Sequence, residues 1–233
     1  MKGIVLILKI ILPVGVIFSG CGKQNDCLPP SLTVTDKLVV YKGDNLTFSV
    51  ESVPGAEFSW MGPSNFKSTD QNPIITNISL EQAGDYSVTA KAGGCEKTKT
   101  ISVEVLEKPA CSPANNTIEF KPTMNFSSIQ CGESSGKFVL QGSGLQGDFT
   151  LEFYVNPLFK GNAIYEFSTN VRNENNVFMQ IGEAFVLSGW QATSGKLYVT
   201  VVNRELTATF CNVSMGSIQF NATKLASGKL LCR

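Results

Sequence analysis

The sequence predicts an all-β chain built from two sandwich-like domains, and three observations carry that reading. Apolar and polar residues alternate with period two in many short runs, the pattern of half-buried strands. Gly, Pro, Asn and Ser clusters separate those runs. Apolar spacing of the helical kind is scarce after residue 26. Hydrophobic residues make up 42% of the chain, enough to fill real cores, and the 213 residues after position 20 suit two domains of about 100 residues each.

The chain opens with Met1-Lys2-Gly3, runs almost continuously apolar from Ile4 to Phe18, and reaches Phe18-Ser19-Gly20-Cys21 before the polar stretch Gly22 to Asp26. A basic start, an apolar middle and small residues at a cleavage point make a secretory signal. With the cysteine at that point, the segment resembles the lipobox of bacterial lipoprotein signal peptides, with Phe18 placed as in Bacteroidota-type lipoproteins. The resemblance implies removal of residues 1–20, acylation of Cys21 as the first mature residue, and a tether over 21–26. An uncleaved membrane helix is the rival, but Lys9 and Pro13 interrupt the run, and a charge at mid-membrane costs about 2.5–3.5 kcal/mol. Cleavage by an ordinary signal peptidase, leaving a free thiol, is the second rival. Two or three acyl chains at about 0.8 kcal/mol per buried methylene hold a protein durably on a membrane. Position 22 is Gly rather than Asp, so the inner-membrane retention signal is missing. The expected location is the outer membrane, on the cell surface or the periplasmic face.

Removing residues 1–20 takes two lysines and no acid, which leaves 17 basic against 19 acidic residues and a formal charge of −2. Nucleic-acid binding depends on clustered Lys and Arg, so no nucleic-acid partner is expected. Beyond Cys21 six cysteines remain: Cys27, Cys95, Cys111, Cys131, Cys211 and Cys232. An even count in an exported chain reads as three disulfides. The six contain no CxxC pair and the chain has no histidine, so neither a zinc site nor any cofactor is expected.

Residues 27–107 form the first domain. Leu32-Thr33-Val34 and Leu38 to Tyr41 are the first predicted strands, the second ended by Lys42-Gly43-Asp44. Leu46, Phe48 and Val50 share one strand face, and Phe58-Ser59-Trp60 runs up to Gly62-Pro63. Ile74, Ile75 and Ile78, then Tyr86 to Ala90, a Gly93-Gly94 turn and Ile101 to Val105 complete about seven strands, the number of a two-sheet sandwich. Phe58 to Pro63, Asn72-Pro73 and Ala83-Gly84-Asp85-Tyr86-Ser87-Val88 resemble the immunoglobulin-like (PKD/Ig-like) domains of bacterial surface proteins. The resemblance assigns Trp60 to the core tryptophan of the third strand. It assigns Tyr86 to the tyrosine corner, whose hydroxyl bonds the backbone upstream. Phe48 and Val88 stand where antibody domains carry their inter-sheet cysteines. In such a sandwich the chain enters beside the hairpin that holds Cys95, so a Cys27–Cys95 bond is expected, worth at most about 4 kcal/mol. Phe66 in Asn65-Phe66-Lys67 packs under its own loop or stands exposed as a contact. The favoured role of this domain is a spacer.

Lys108-Pro109-Ala110 is the predicted linker, and residues 111–233 form the second domain. Its predicted strands are Phe138 to Leu140, Phe149 to Val155, Ala163 to Phe167, Val177 to Ile181, Leu197 to Val202, Leu206 to Val213 and Leu230-Leu231, with a hairpin turn at Asn203-Arg204. Ser-Gly-Lys occurs at Ser135, Ser194 and Ser227 and reads each time as a turn opening a strand. Trp190 to Leu197, with Thr209 to Val213, resembles small β domains that end Bacteroidota lipoproteins; that resemblance implies no activity. The four cysteines here allow three pairings. Cys111–Cys131 and Cys211–Cys232 are favoured because short loops close at least entropic cost.

Catalysis is not expected. Gly132-Glu133-Ser134-Ser135-Gly136 matches GxSxG, but a nucleophile elbow needs an α/β sheet and a histidine base. Glu152, Glu166, Glu174 and Glu183 are carboxylates without a sequence-visible cleft. The chain therefore reads as a non-catalytic binding or structural lipoprotein, with an adhesin and a glycan-capture lipoprotein of polysaccharide uptake as alternatives. Glycan capture needs exposed flat aromatics beside polar groups; the candidates are Trp190, Tyr154, Phe159 and Tyr165. That reading requires Trp190 to be exposed on a concave surface, whereas ordinary core packing would bury it.

Overall fold

The computed structural model describes residues 30–51, 54–184 and 189–233. The signal segment 1–20, Cys21, the tether 21–26 and Cys27 lie outside the described residues. Among the described residues no helix is long and apolar enough to cross a membrane.

The first domain is an immunoglobulin-like β-sandwich. Strands β1 (Lys37–Tyr41), β3 (Glu57–Gly62), β4 (Phe66–Ser68), β6 (Gly84–Ala92) and β7 (Cys95–Leu106) form one sheet in the order β1-β7-β6-β3-β4. Opposite it lie β2 (Leu46–Thr47) and β5 (Ile74–Ile75), paired antiparallel. β1 runs parallel to β7, while β6 and β7 form a hairpin closed by Gly93 and Gly94, both at positive φ, as a tight two-residue turn requires. Apolar alternation places Phe58 and Trp60 on the inner face of β3, and Tyr86, Val88 and Ala90 on that of β6.

The centre of this core is aromatic. Phe48 lies 4.8 Å from the Trp60 ring and 4.9 Å from the Tyr86 ring, and such pairs add about 0.5–1.5 kcal/mol beyond burial. Phe48 and Val88 are both fully buried, filling with side chains the space a disulfide would bridge. Trp60 Nε1 donates to the Asp70 carbonyl at 2.9 Å, and the Tyr86 hydroxyl donates to the Gln82 carbonyl at 2.8 Å. Gly62 leaves the room that the Tyr86 ring takes, since a Cβ there would overlap it. Phe66 is half-buried and meets Tyr86 edge-on at 5.4 Å. Leu32-Thr33-Val34 is not a strand, contrary to expectation. Leu32 is nevertheless buried in the core, which accounts for the apolar signal without a ladder.

Among the described residues the second domain holds one extended sheet of eleven strands. β8 (Thr117–Glu119), β9 (Met124–Asn125), β10 (Gln130–Ser134), β11 (Lys137–Gly144) and β12 (Gly147–Phe153) come first. A single helical turn, α1 (Pro157–Lys160), precedes β13 (Ala163–Phe167) and β14 (Asn176–Glu183). β15 (Gly189–Ser194), β16 (Lys196–Val202), β17 (Glu205–Ser217) and β18 (Thr223–Cys232) complete it. The main path runs β10-β11-β12-β14-β13-β16-β17-β18-β8-β9, and β15 additionally bridges β14 to β17. β13, β14, β15, β17 and β16 are thus linked in a closed circuit of hydrogen bonds. The core of this domain includes Phe153, Tyr165, Met179, Trp190 and Phe210.

Asn203 and Arg204, at φ 51° and 67°, turn β16 into β17. Ser135 and Gly136, also at positive φ, turn β10 into β11; the GxSxG match ends in this hairpin. The Ser-Gly-Lys repeat does not behave uniformly. Ser135 sits in that hairpin turn and Ser194 ends β15, but Ser227 is buried inside β18. There Gly228 is needed because the Phe210 ring and the Thr117 carbonyl oxygen occupy the space of a Cβ.

The disulfides correct the short-loop expectation. Cys111 bonds Cys211 and Cys131 bonds Cys232, with sequence separations of 100 and 101. Loop-closure entropy separates 20-residue from 100-residue loops by only about 1.4 kcal/mol, too little to override where the folded strands place the sulfurs. Cys211 lies at the β-bulge between Phe210 and Val213 on β17. The other bond ties the first edge strand of the sheet to the end of β18. Cys95 is also disulfide-bonded; its expected partner Cys27 lies outside the described residues.

Candidate functional site

The predicted aromatic set does not assemble. Trp190 is 5% exposed. Its ring packs edge-on against Phe120 at 5.4 Å and lies 4.6 Å from Lys224 Nζ. That ammonium is also 4.9 Å from the Phe120 ring and 2.7 Å from Glu183 Oε1. Trp190 is a core residue under a lysine, which fits ordinary core packing and removes it as the anchor of the alternative, glycan-capture reading. Tyr165 is 1% exposed, stacked edge-on with Phe153 at 5.1 Å. Burial pushes its hydroxyl up to about 12, and that hydroxyl has no hydrogen-bond partner. Tyr154 is half-buried beside Lys137. Phe159, on α1, is 87% exposed.

The candidate carboxylates are dispersed. Glu152 pairs with Lys137 and Glu183 with Lys224, while Glu166 and Glu174 are exposed. Among the described residues no group of three or more His, Cys, Asp or Glu could hold a metal ion.

Two features that sequence reasoning missed stand out. The first is the joint between the domains. Tyr41 ends β1 and is 3% exposed, because its ring enters the second domain. Its hydroxyl lies 3.0 Å from the Ala163 carbonyl oxygen and 2.8 Å from that of Val199, with one proton to donate. Burial drives its pKa well above the ordinary 10, since the phenolate would have to leave water. Asn162 completes the joint. Its Nδ2 donates to the Val39 carbonyl at 3.1 Å, and its Oδ1 accepts from the Val201 N–H at 3.0 Å. One amide thus ties β1 to β16 across the boundary.

The second feature is the outer face of β10, β11, β12, β14 and β15. Alternation turns Leu140, Leu151 and Met179 inward, so their neighbours in sequence face out. The register then aligns Gln130, Gln141, Thr150, Gln180 and Gln191 in one row, each directly opposite the next. Gln141 Nε2 lies 3.4 Å from Gln130 Oε1. The adjacent row includes Glu152 opposite Phe178 on the same face, and Asp148 on the other side lies over Gly182. Gln130, Gln141, Thr150 and Gln180 line, with Asp148, Glu152 and Phe178, a concavity of about 610 Å³, and Gln191 continues the row past it on β15. A faint signal existed in the sequence, because glutamines recur at outward positions of alternating runs. Only the strand order and register bring them into line.

No protein-family model matches the chain, and no curated protein matches it in sequence. Solved structures that resemble it are immunoglobulin-like domains. A chimeric titin Z1Z2 functionalised with a decorin peptide is 24% identical, with a TM-score of 0.30, over 35% of this chain and 97% of that one. The Ig-like domain of human leucine-rich repeat-containing protein 4 is 12% identical, with a TM-score of 0.32, over 40% of this chain and 100% of that one. The titin domains Z1Z2 in complex with telethonin are 16% identical, with a TM-score of 0.31, over 88% of this chain and 97% of that one. Strand order and core residues, not these likenesses, define the first domain as immunoglobulin-like.

Proposed function

We propose that the chain is a non-catalytic, lipid-anchored binding or structural protein whose immunoglobulin-like domain is a fixed mount for the second domain. The observation that supports it is the Tyr41–Asn162 joint. A spacer on a flexible linker needs no buried side chain crossing into its neighbour, whereas this one has a tyrosine and an amide committed to that contact. The lipobox at Cys21 supplies the membrane partner, and the outer membrane is the location that its flanking residues favour. Carboxylates scattered or paired with lysines, with no histidine in the chain, favour binding over catalysis.

The test is metabolic labelling with an alkynyl fatty acid, followed by membrane fractionation. The reading expects label and membrane retention in the native chain and loss of both in Cys21→Ala. An unlabelled, soluble native protein would overturn it.

A further inference from the structure

We infer that the row Gln130, Gln141, Thr150, Gln180 and Gln191 is the binding site for an extended, uncharged glycan lying across the strands. The inference rests on the reading of this chain as a binding protein and names the ligand class. Neighbouring strands are about 4.8 Å apart, so five strands carry the row over about 19 Å. Each side-chain amide both donates and accepts, and the threonine hydroxyl does the same. A chain of sugar hydroxyls, which also donate and accept, finds a complementary group at every strand.

The charges on this face select against other partners. Asp148 and Glu152 are the charged groups among the described residues that line the concavity, and Lys137 nearby is paired with Glu152. Among the described residues that line the concavity a polyanion would meet two carboxylates and no cation. Protein partners favour large aromatic anchors seated in pockets, whereas of the two rings that line the concavity Phe149 is buried in the core and Phe178 is half-buried. One flat ring beside a polar row suits stacking on a pyranose face instead. A merely solvated sheet face has no need of four glutamines in register, since charged side chains serve solubility better.

The full chain in detergent is titrated by calorimetry with cellohexaose, mannohexaose, xylohexaose and, as the anionic comparison, a heparin hexasaccharide. The expected result is binding of at least one neutral hexasaccharide, no binding of heparin, and weaker binding of the matching disaccharide. Gln141→Ala combined with Gln180→Ala should weaken binding about tenfold or more, and Phe178→Ala should weaken it by a similar factor. Lys97→Ala, exposed on β7 in the first domain, should leave it unchanged. No binding of any neutral hexasaccharide, equal binding of heparin, or binding indifferent to the glutamine pair would overturn the inference. The lipid-labelling result is read separately, so a failed glycan site and a failed anchor are distinguishable.

Discussion

Replacing Tyr41 with Phe removes one oxygen from the joint and leaves the ring in place. The hydroxyl sits 2.8 Å from the Val199 oxygen and 3.0 Å from the Ala163 oxygen, in a residue that is almost wholly buried. It has one proton, so one full hydrogen bond is lost and two carbonyls keep a dry apolar neighbour. A buried acceptor left without its donor costs about 1–3 kcal/mol. In a protein of this length that is roughly 2–4 °C per kcal/mol. The assay is urea denaturation followed by Trp60 and Trp190 fluorescence, with Asn162→Ala and the double variant closing a cycle. Because both residues serve one contact, their effects should not add, with a coupling of about 0.5–3 kcal/mol. A Tyr41→Phe effect below roughly 0.3 kcal/mol, with the two changes additive, would refute the argument that these groups hold the domains together.

Three further outcomes follow from the same physics. Tyr165→Phe should stabilise the protein by about 1 kcal/mol, because it removes a buried hydroxyl with no partner at no loss of packing; a lower thermal midpoint would contradict this. Both Tyr41 and Tyr165 have folded pKa values raised by burial, so the unfolded chain releases these protons first. Stability should be at its full value below pH 10 and fall as pH rises from 10 towards 12, by up to about 1.4 kcal/mol per unit for each tyrosine. Denaturation midpoints measured across that range test it, and Tyr165→Phe should flatten the slope. Converting Cys131 and Cys232 together to Ala should cost about 2–5 kcal/mol, since the bond closes a loop of some 100 residues in the chain-entropy model. A change below 1 kcal/mol would show that the sheet alone fixes the two ends.

Legibility followed alternation. Phe58-Ser59-Trp60 and Tyr86 to Ala90 alternate cleanly, and they form β3 and β6 with those residues inward. β8, β9 and β10 are short and largely polar, so period two has no room to show. Leu32 gave an apolar signal because it is buried without belonging to a ladder. Tyr41 looked like the last apolar residue of a strand, and its partners lie 122 and 158 residues away; nothing local encodes that. The cysteine count was readable, but the pairing was not, because it depends on which strands the fold makes neighbours. Trp190 lay between a glycine and a polar turn in the sequence, yet β15 bridges β14 and β17 over the core and carries its ring inside. The glutamine row is the same lesson reversed: five unremarkable surface residues become one surface through register alone.

Whether the first domain is a fixed mount for the second is read from rotational tumbling. Backbone amide relaxation of the protein should give one rotational diffusion tensor that fits residues 37–106 and 117–232 together. In Tyr41→Phe with Asn162→Ala the two sets should separate. Independent tumbling of the two domains in the native chain would mean that Tyr41 and Asn162 do not fix the joint.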